Sequence, residues 1–271
     1  MVLDVIYNMK REMLRRKLSV KTIKTYLGFV KKFLLDNKDK TPKEFSKKDV
    51  KRFLYDLENT EVSGSTLNVA HNALRFMMID VLHKSMYLKI RYSKVPSKKI
   101  EYLTKTEIKK ILGVISNPKH KLLVSLMYGA GLRVSEVVKL KVSDFSFEEN
   151  IGWVINGKGG KDRPFIIPSK IKQELIFISE NNSYWVFPGR KTHLSVKSVQ
   201  KLVESAGLKA KLKKHIHPHM FRHSFTTHLL ESGLGVSMVQ SLLGHSRPET
   251  TLGYSHTLRP KLISVKSPLD D

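Results

Sequence analysis

Apolar residues recur at helical spacing through the first third of the chain, then give way to a mixed pattern with short alternating runs. Residues 3–18 form a weak amphipathic helix. Ser19 caps a clearer one, in which Val20, Ile23, Leu27, Val30 and Leu34 make one stripe. Thr41-Pro42 opens a turn, and Ser46 precedes a third helix that buries Val50, Phe53, Leu54 and Leu57. After the Ser63-Gly64-Ser65 turn, a fourth helix runs from Thr66 to His83 with Leu67, Ala70, Leu74, Met77, Met78 and Val81 inward. Four helices of this size can close a small core of their own.

Residues 91–99, RYSKVPSKK, lose the helical period and read as a linker. Thr104 and Glu107 then form a capping box that opens a helix to about Ile115. A further apolar helix, Leu122 to Tyr128, ends at Gly129-Ala130-Gly131, and Arg133 stands where the next helix begins, with Glu136 one turn on. Three strands follow, Lys141–Phe147, Ile151–Asn156 and Arg163–Ile167, with GKGGKD as the tip of the last hairpin. Ser169–Ser179 and Ser195–Ala206 read as helices, and Trp185 and Phe187 between them are assigned to the core. The pattern closes with a helix from His219 to Ser232 stopped by Gly233, and a short one from Val236 to Leu243. His245 falls on the next turn, and a Ser246/Glu249 capping box starts a last helix carrying Tyr254. The fold class expected is mainly α, with a small antiparallel β-sheet in the second of two domains: residues 1–92 helical, 93–101 linker, 102–271 the second domain.

Charge changes this picture. The chain of 271 residues carries 49 Lys+Arg against 24 Asp+Glu, a formal net charge of +25, and no cysteine. Such an excess, spread throughout rather than gathered in one tail, points to nucleic acid before a membrane surface. Lys21, Lys24, Lys31, Lys32, Lys47, Lys48 and Lys51 line the outward faces of the first helices and suit one half of a DNA clamp. The longest charge-free apolar stretch, Leu122 to Leu132, is too short to span a bilayer, and charge arrives too early for a secretory signal. These features read as an intracellular protein, placed in the cytoplasm.

His219, Arg222, His223 and Thr226 share one face of their helix, and the turns after it can bring His245 and Tyr254 to the same place. An arginine fork, imidazoles and a phenol suit attack on a phosphate. Taken singly, each of these residues is more often packing or a solvated side chain. A P-loop reading of GWVINGKG fails, because Trp153-Val154-Ile155 is strand-forming and Gly159 stands where Ser or Thr is needed. A metal-dependent nuclease built on His215, His217 and His219 lacks an accompanying carboxylate. A cation at the start of a helix, as at Arg133, opposes the helix dipole, and an anion bound there would relieve the conflict.

The ordered set is more specific than its members. H-x-x-R, then L-L-G-H, then a tyrosine nine positions later, preceded upstream by G-L-R-x-S-E, resembles the signature of tyrosine recombinases of the integrase family. In size and lysine content the chain is most like the archaeal Xer subgroup. The resemblance implies a helical, SAM-like core-binding domain followed by a catalytic domain, the two clamping duplex DNA. It implies six catalytic residues: Arg133, Lys158, His219, Arg222, His245 and Tyr254. Arg133 and Arg222 would clamp the scissile phosphate, His219 assist deprotonation of Tyr254, His245 bond the phosphate, and Lys158 protonate the leaving 5′-oxygen, with Lys161 as substitute and Glu136 as buttress. The product would be a 3′-phosphotyrosine, exchanged through a Holliday junction without metal, nucleotide or other cofactor. Resolution of chromosome or plasmid dimers by a tetramer on two sites is the role implied. A mobile-element integrase, a type IB topoisomerase and a non-catalytic DNA-binding protein are the alternatives. Pro260 interrupts the tail after Tyr254, so TLRPKLISV is expected to dock only as a short turn or strand.

Overall fold

The computed structural model describes residues 2–84, 101–157, 162–181, 183–243 and 267–270. The chain divides into two compact units, Met1–Lys98 and Lys99–Asp271.

The first unit contains α1 (Val2–Arg15), α2 (Val20–Asp36), α3 (Lys47–Glu58) and α4 (Gly64–Phe76), the last running into one π-helical turn, Met77–Val81. Serines start three of these helices. Ser19, Ser46 and Ser63 each accept a hydrogen bond from the backbone N–H three residues on, at 3.0, 3.4 and 3.3 Å. The core joins Val5, Met9 and Met13 of α1 to Ile23, Val30 and Phe33, to Val50 and Phe53, and to Ala70, Leu74, Met77 and Met78. Phe33 meets Phe45 and Phe53 edge-on.

Two expectations need correction here. Val20 is 82% exposed: it is the first helical residue beside the cap, and the core begins one turn later, at Ile23. The helix expected to run unbroken to His83 instead takes a π turn, which lets the consecutive Met77 and Met78 both face inward and leaves Val81 half-buried. The lysines named above are exposed, except Lys47, which is half-buried.

The second unit holds α5 (Lys105–Gly113), α6 (Pro118–Gly129), α7 (Val134–Val137), a 3₁₀ turn (Val142–Asp144), β1 (Phe145–Ser146), β2 (Ile151–Val154) and β3 (Arg163–Ile166). There follow α8 (Ser169–Glu180), α9 (Val196–Lys209), α10 (Pro218–Glu231) and α11 (Val236–Leu243). Thr104 and Glu107 close their capping box on α5. In α6 every residue from Leu122 to Gly129 is buried, so this helix runs through the core, with α5, α7, α8 and α10 against it. The sheet is antiparallel in the order β1-β2-β3. Gly152 faces Phe165 across β2 and β3, and a Cβ there would come within 2.1 Å of the Phe165 ring.

The strand expected over Lys141–Phe147 shrinks to two residues. The Asp144 carboxylate accepts the Lys141 N–H at 2.8 Å and winds the segment into the 3₁₀ turn. Lys141 pairs instead with Trp185 as an isolated bridge. Trp185 is half-buried rather than core, edge-on to Tyr184 and His193, while Val186 and Phe187 enter the core. Val186 is drawn in by its N–H to the Leu140 carbonyl, at 3.0 Å.

The stretch 267–270 lies on the second unit. Ser267 Oγ donates to the Gly129 carbonyl at 2.7 Å. Asp270 accepts from the N–H groups of Ser169 and Lys170 at 3.0 and 2.9 Å, capping α8 where Pro168 offers no side-chain bond. The linker region up to residue 100, the hairpin tip 158–161, His245, the Ser246/Glu249 box, the helix expected around Tyr254 and the TLRPKLISV segment lie outside the described residues. Among the described residues no helix is long and apolar enough to cross a membrane.

Candidate active site

One buried carboxylate gathers the site. After α6 the chain turns at Gly131, with φ of +60°; a Cβ there would meet the Phe225 ring at 2.4 Å, so glycine is required twice over. Two residues later Arg133 caps α7, and Glu136 in the first turn accepts the Arg133 backbone N–H at 2.8 Å and its guanidinium at 2.6 Å. The dipole conflict expected at Arg133 is therefore relieved by a side chain of the same helix. Burial works to raise the Glu136 pKa. Arg163 beside it and the hydrogen bonds from Arg133 outweigh that, and the group lies below the ordinary carboxylate value.

Arg222 projects from the middle of α10 and is buried. It donates to the Gly131 carbonyl at 2.7 Å and to the Leu243 carbonyl at 2.6 Å, and stands 4.0 Å from Glu136. Burial, with Arg133 and Arg163 close by, draws its pKa down to about 9. One turn earlier on the same helix is His219, whose ring lies 6.2 Å from that of His223. Partial burial, then His223, His217, Arg222 and Arg133, all push the His219 pKa below its ordinary value, which keeps the imidazole neutral at pH 7. The helix is anchored from behind. Ser224 Oγ accepts the buried Leu103 N–H at 2.8 Å and donates to the Met220 carbonyl at 2.7 Å.

Arg163, at the head of β3, escaped the sequence reading. Its guanidinium reaches Glu136 at 2.7 Å and the Leu242 carbonyl at 2.8 Å. The signal for it was present: Arg163 shares the inward phase of its strand with Phe165 and pairs with the buried Val154, an unusual place for a cation. The structure thus brings Arg133, His219 and Arg222 together, with Glu136 and Arg163. Lys158, His245 and Tyr254 lie outside the described residues; α11 ends at Leu243, two positions before His245. Lys214, on the approach to α10, bonds Glu107 at 2.9 Å and the Tyr102 carbonyl at 3.1 Å. Among the described residues no group of three His, Asp, Glu or Cys side chains could hold a metal.

Three guanidiniums around a single carboxylate leave a surplus of positive charge that suits an oxyanion, and the neutral imidazole beside them can accept a proton. The phage integrase family matches residues 101–259, and the phage integrase N-terminal SAM-like domain matches residues 6–87. The chain is 37% identical over 248 residues to tyrosine recombinase XerA of Pyrococcus horikoshii, covering 88% of this chain and 83% of that protein. In fold it is similar to the XerH site-specific recombinase bound to a palindromic difH substrate in a post-cleavage complex, with a TM-score of 0.69 at 23% identity, over 91% of this chain and 79% of that one. It is also similar to the Tn1549 transposon integrase in complex with circular intermediate DNA, with a TM-score of 0.72 at 16% identity, over 95% and 99% of the two chains.

Proposed function

Because the chain belongs to the phage integrase family and is a tyrosine recombinase of the Xer type, a site-specific DNA recombinase, we propose that Arg133, Lys158, His219, Arg222, His245 and Tyr254 carry its chemistry. Arg133 and Arg222 grip the non-bridging oxygens of the scissile phosphate. His219, neutral in the free protein, takes the proton of the Tyr254 hydroxyl as the phenolate attacks phosphorus. Lys158 gives a proton to the departing 5′-oxygen, and His245 bonds a non-bridging oxygen as charge builds in the transition state. The P–O bond to the 5′-oxygen breaks as the bond to the tyrosine forms, leaving a 3′-phosphotyrosine and a free 5′-hydroxyl. Attack by the 5′-hydroxyl of a partner strand reverses these steps, so the ester bond is conserved and no external energy source is needed.

The observation that carries this reading is the cluster itself: Arg133 and Arg222 converge on Glu136 with a neutral His219 beside them. In the same reading residues 1–92 bind the duplex, residues 93–101 link, and residues 102–271 catalyse. Four copies on two sites resolve chromosome or plasmid dimers in the cytoplasm. The test is to incubate the full chain with genomic DNA of its source in excess EDTA, trap covalent adducts with detergent, and sequence the attached DNA. One recurrent short sequence joined through its 3′-phosphate to Tyr254 is expected, and nothing from Tyr254→Phe. Adducts at another residue, or cleavage that returns only on adding a divalent ion, would overturn the assignment.

A further inference from the structure

The chemistry above uses two arginines, whereas the site holds three. Arg163 is buried, with a side chain only 8% exposed, and its Nε has no hydrogen-bond partner among the described residues. Burying a guanidinium so deeply is costly, and its contacts indicate what it does there. Oxygen Oε2 of Glu136 accepts from the Arg133 N–H at 2.8 Å and from Arg163 at 2.7 Å. Arg222 stands 4.0 Å from that same oxygen and spends two donors on the Gly131 and Leu243 carbonyls. Arg163 also holds the Leu242 carbonyl, so two adjacent carbonyls at the end of α11 rest on two different arginines. A carboxylate oxygen has two lone-pair directions, and here both are filled. Withdrawing Arg163 would open one acceptor direction of Oε2 and leave the carboxylate paired with Arg133 alone, 4.0 Å from a second cation in a pocket of low dielectric, where the attraction between them is strong.

We infer that Arg163 is a positioning residue: by filling Glu136 Oε2 and holding the Leu242 carbonyl, it keeps Arg222 from collapsing onto Glu136 and directs it to the substrate phosphate. The inference rests on the reading that Arg222 grips that phosphate. It differs from a role as a simple strut, because a strut has no stake in the charge of Glu136.

Two measurements test it. In a crystal structure of Arg163→Met, the Arg222 guanidinium should close on Glu136 Oε2 to hydrogen-bond distance; a separation still at 4.0 Å or more overturns the inference. Should Arg163→Met not fold, Arg163→Leu takes the same distance test, since it too leaves Glu136 Oε2 without its second donor. In single-turnover adduct formation on a nicked duplex of the trapped sequence, Arg163→Met should be slower by about 10²-fold with unchanged duplex affinity. Adding Glu136→Gln to Arg163→Met removes the charge that captures Arg222 and should return most of that loss. A double variant slower than Arg163→Met would make Arg163 a strut and sink the proposal. If the unaltered chain forms no adduct at all, the recombinase assignment of the site fails, while the crystallographic distance still decides what Arg163 does to Arg222.

Discussion

At the scale of single residues, the site is built from short-range choices with long-range partners. Glu136 reaches back three positions to Arg133 and across 27 to Arg163. The first contact can be anticipated from spacing in a helix; the second depends on how a hairpin folds over. For that reason Arg133, His219 and Arg222 were legible as ordered motifs, while Arg163 was one more basic residue after GKGGKD. The roles proposed for Lys158 and Tyr254 are separable by chemistry. Tyr254→Phe should bind the target normally and form no adduct, because it lacks a nucleophile. Lys158→Ala keeps the nucleophile and should lose about 10²- to 10⁴-fold in cleavage rate. A substrate with sulfur at the bridging 5′ position has a leaving group that needs no proton. It should restore most of the Lys158→Ala rate and none of the Tyr254→Phe rate. Rescue of Lys161→Ala instead would move the general acid to that residue.

At the scale of elements, helix starts were the most readable feature, since a hydroxyl cap acts within three residues and needs no tertiary partner. Ser19 and Thr104 cap as expected, and Ser46 caps the helix it was expected to precede. Ser63 and Ser195, read as a turn residue and a first helical residue, prove to be caps by the same local chemistry. The π turn at Met77–Val81 was not readable, because its gain is the joint burial of two methionines in a core that forms only on folding. Nor was the cap of α8, whose carboxylate comes from Asp270, 101 positions away from Ser169. That cap gives a direct test. Asp270→Ala removes two hydrogen bonds and a negative charge from a helix N-terminus, and should cost the second unit about 1–2 kcal/mol of stability, with Asp270→Asn between the two. Denaturant titration of the full chain checks this, and an unchanged midpoint for Asp270→Ala would show that α8 does not depend on its distant cap.

At the scale of the whole molecule, two balances of charge govern behaviour. The first is set by histidines. Burial leads the causes that lower the pKa values of His71, His217, His219, His223 and His228, all from an ordinary value of 6.5. On acidification the unfolded chain therefore takes up protons first, so stability is full above about pH 6.5 and falls as the pH drops through and below it. Glu107 and Glu136, lowered from 4.5, add their own loss only at lower pH. Because His71 alone belongs to the first unit, melting followed between pH 8 and pH 5 should show the second unit weakening sooner. A second unit equally stable at both ends of that range would contradict the assignment of neutral histidines.

The second balance lies in the pocket where Arg133, Arg163 and Arg222 surround Glu136, three positive charges against one negative, a surplus of two. Left empty, such a pocket works against the folding of the unit that contains it, and the lowered pKa of Arg222 reflects its burial first and that mutual repulsion second. A phosphodiester attacked by a phenolate carries two negative charges, the complement of the surplus. Substrate is therefore a folding ligand as well as a reactant. Inorganic phosphate, compared with chloride at equal ionic strength, should raise the melting temperature of the second unit and leave that of the first unchanged. A hundredfold excess over the dissociation constant corresponds to about 2.7 kcal/mol. The recombinase would then be at its least stable when searching for a site and at its most stable while holding a strand.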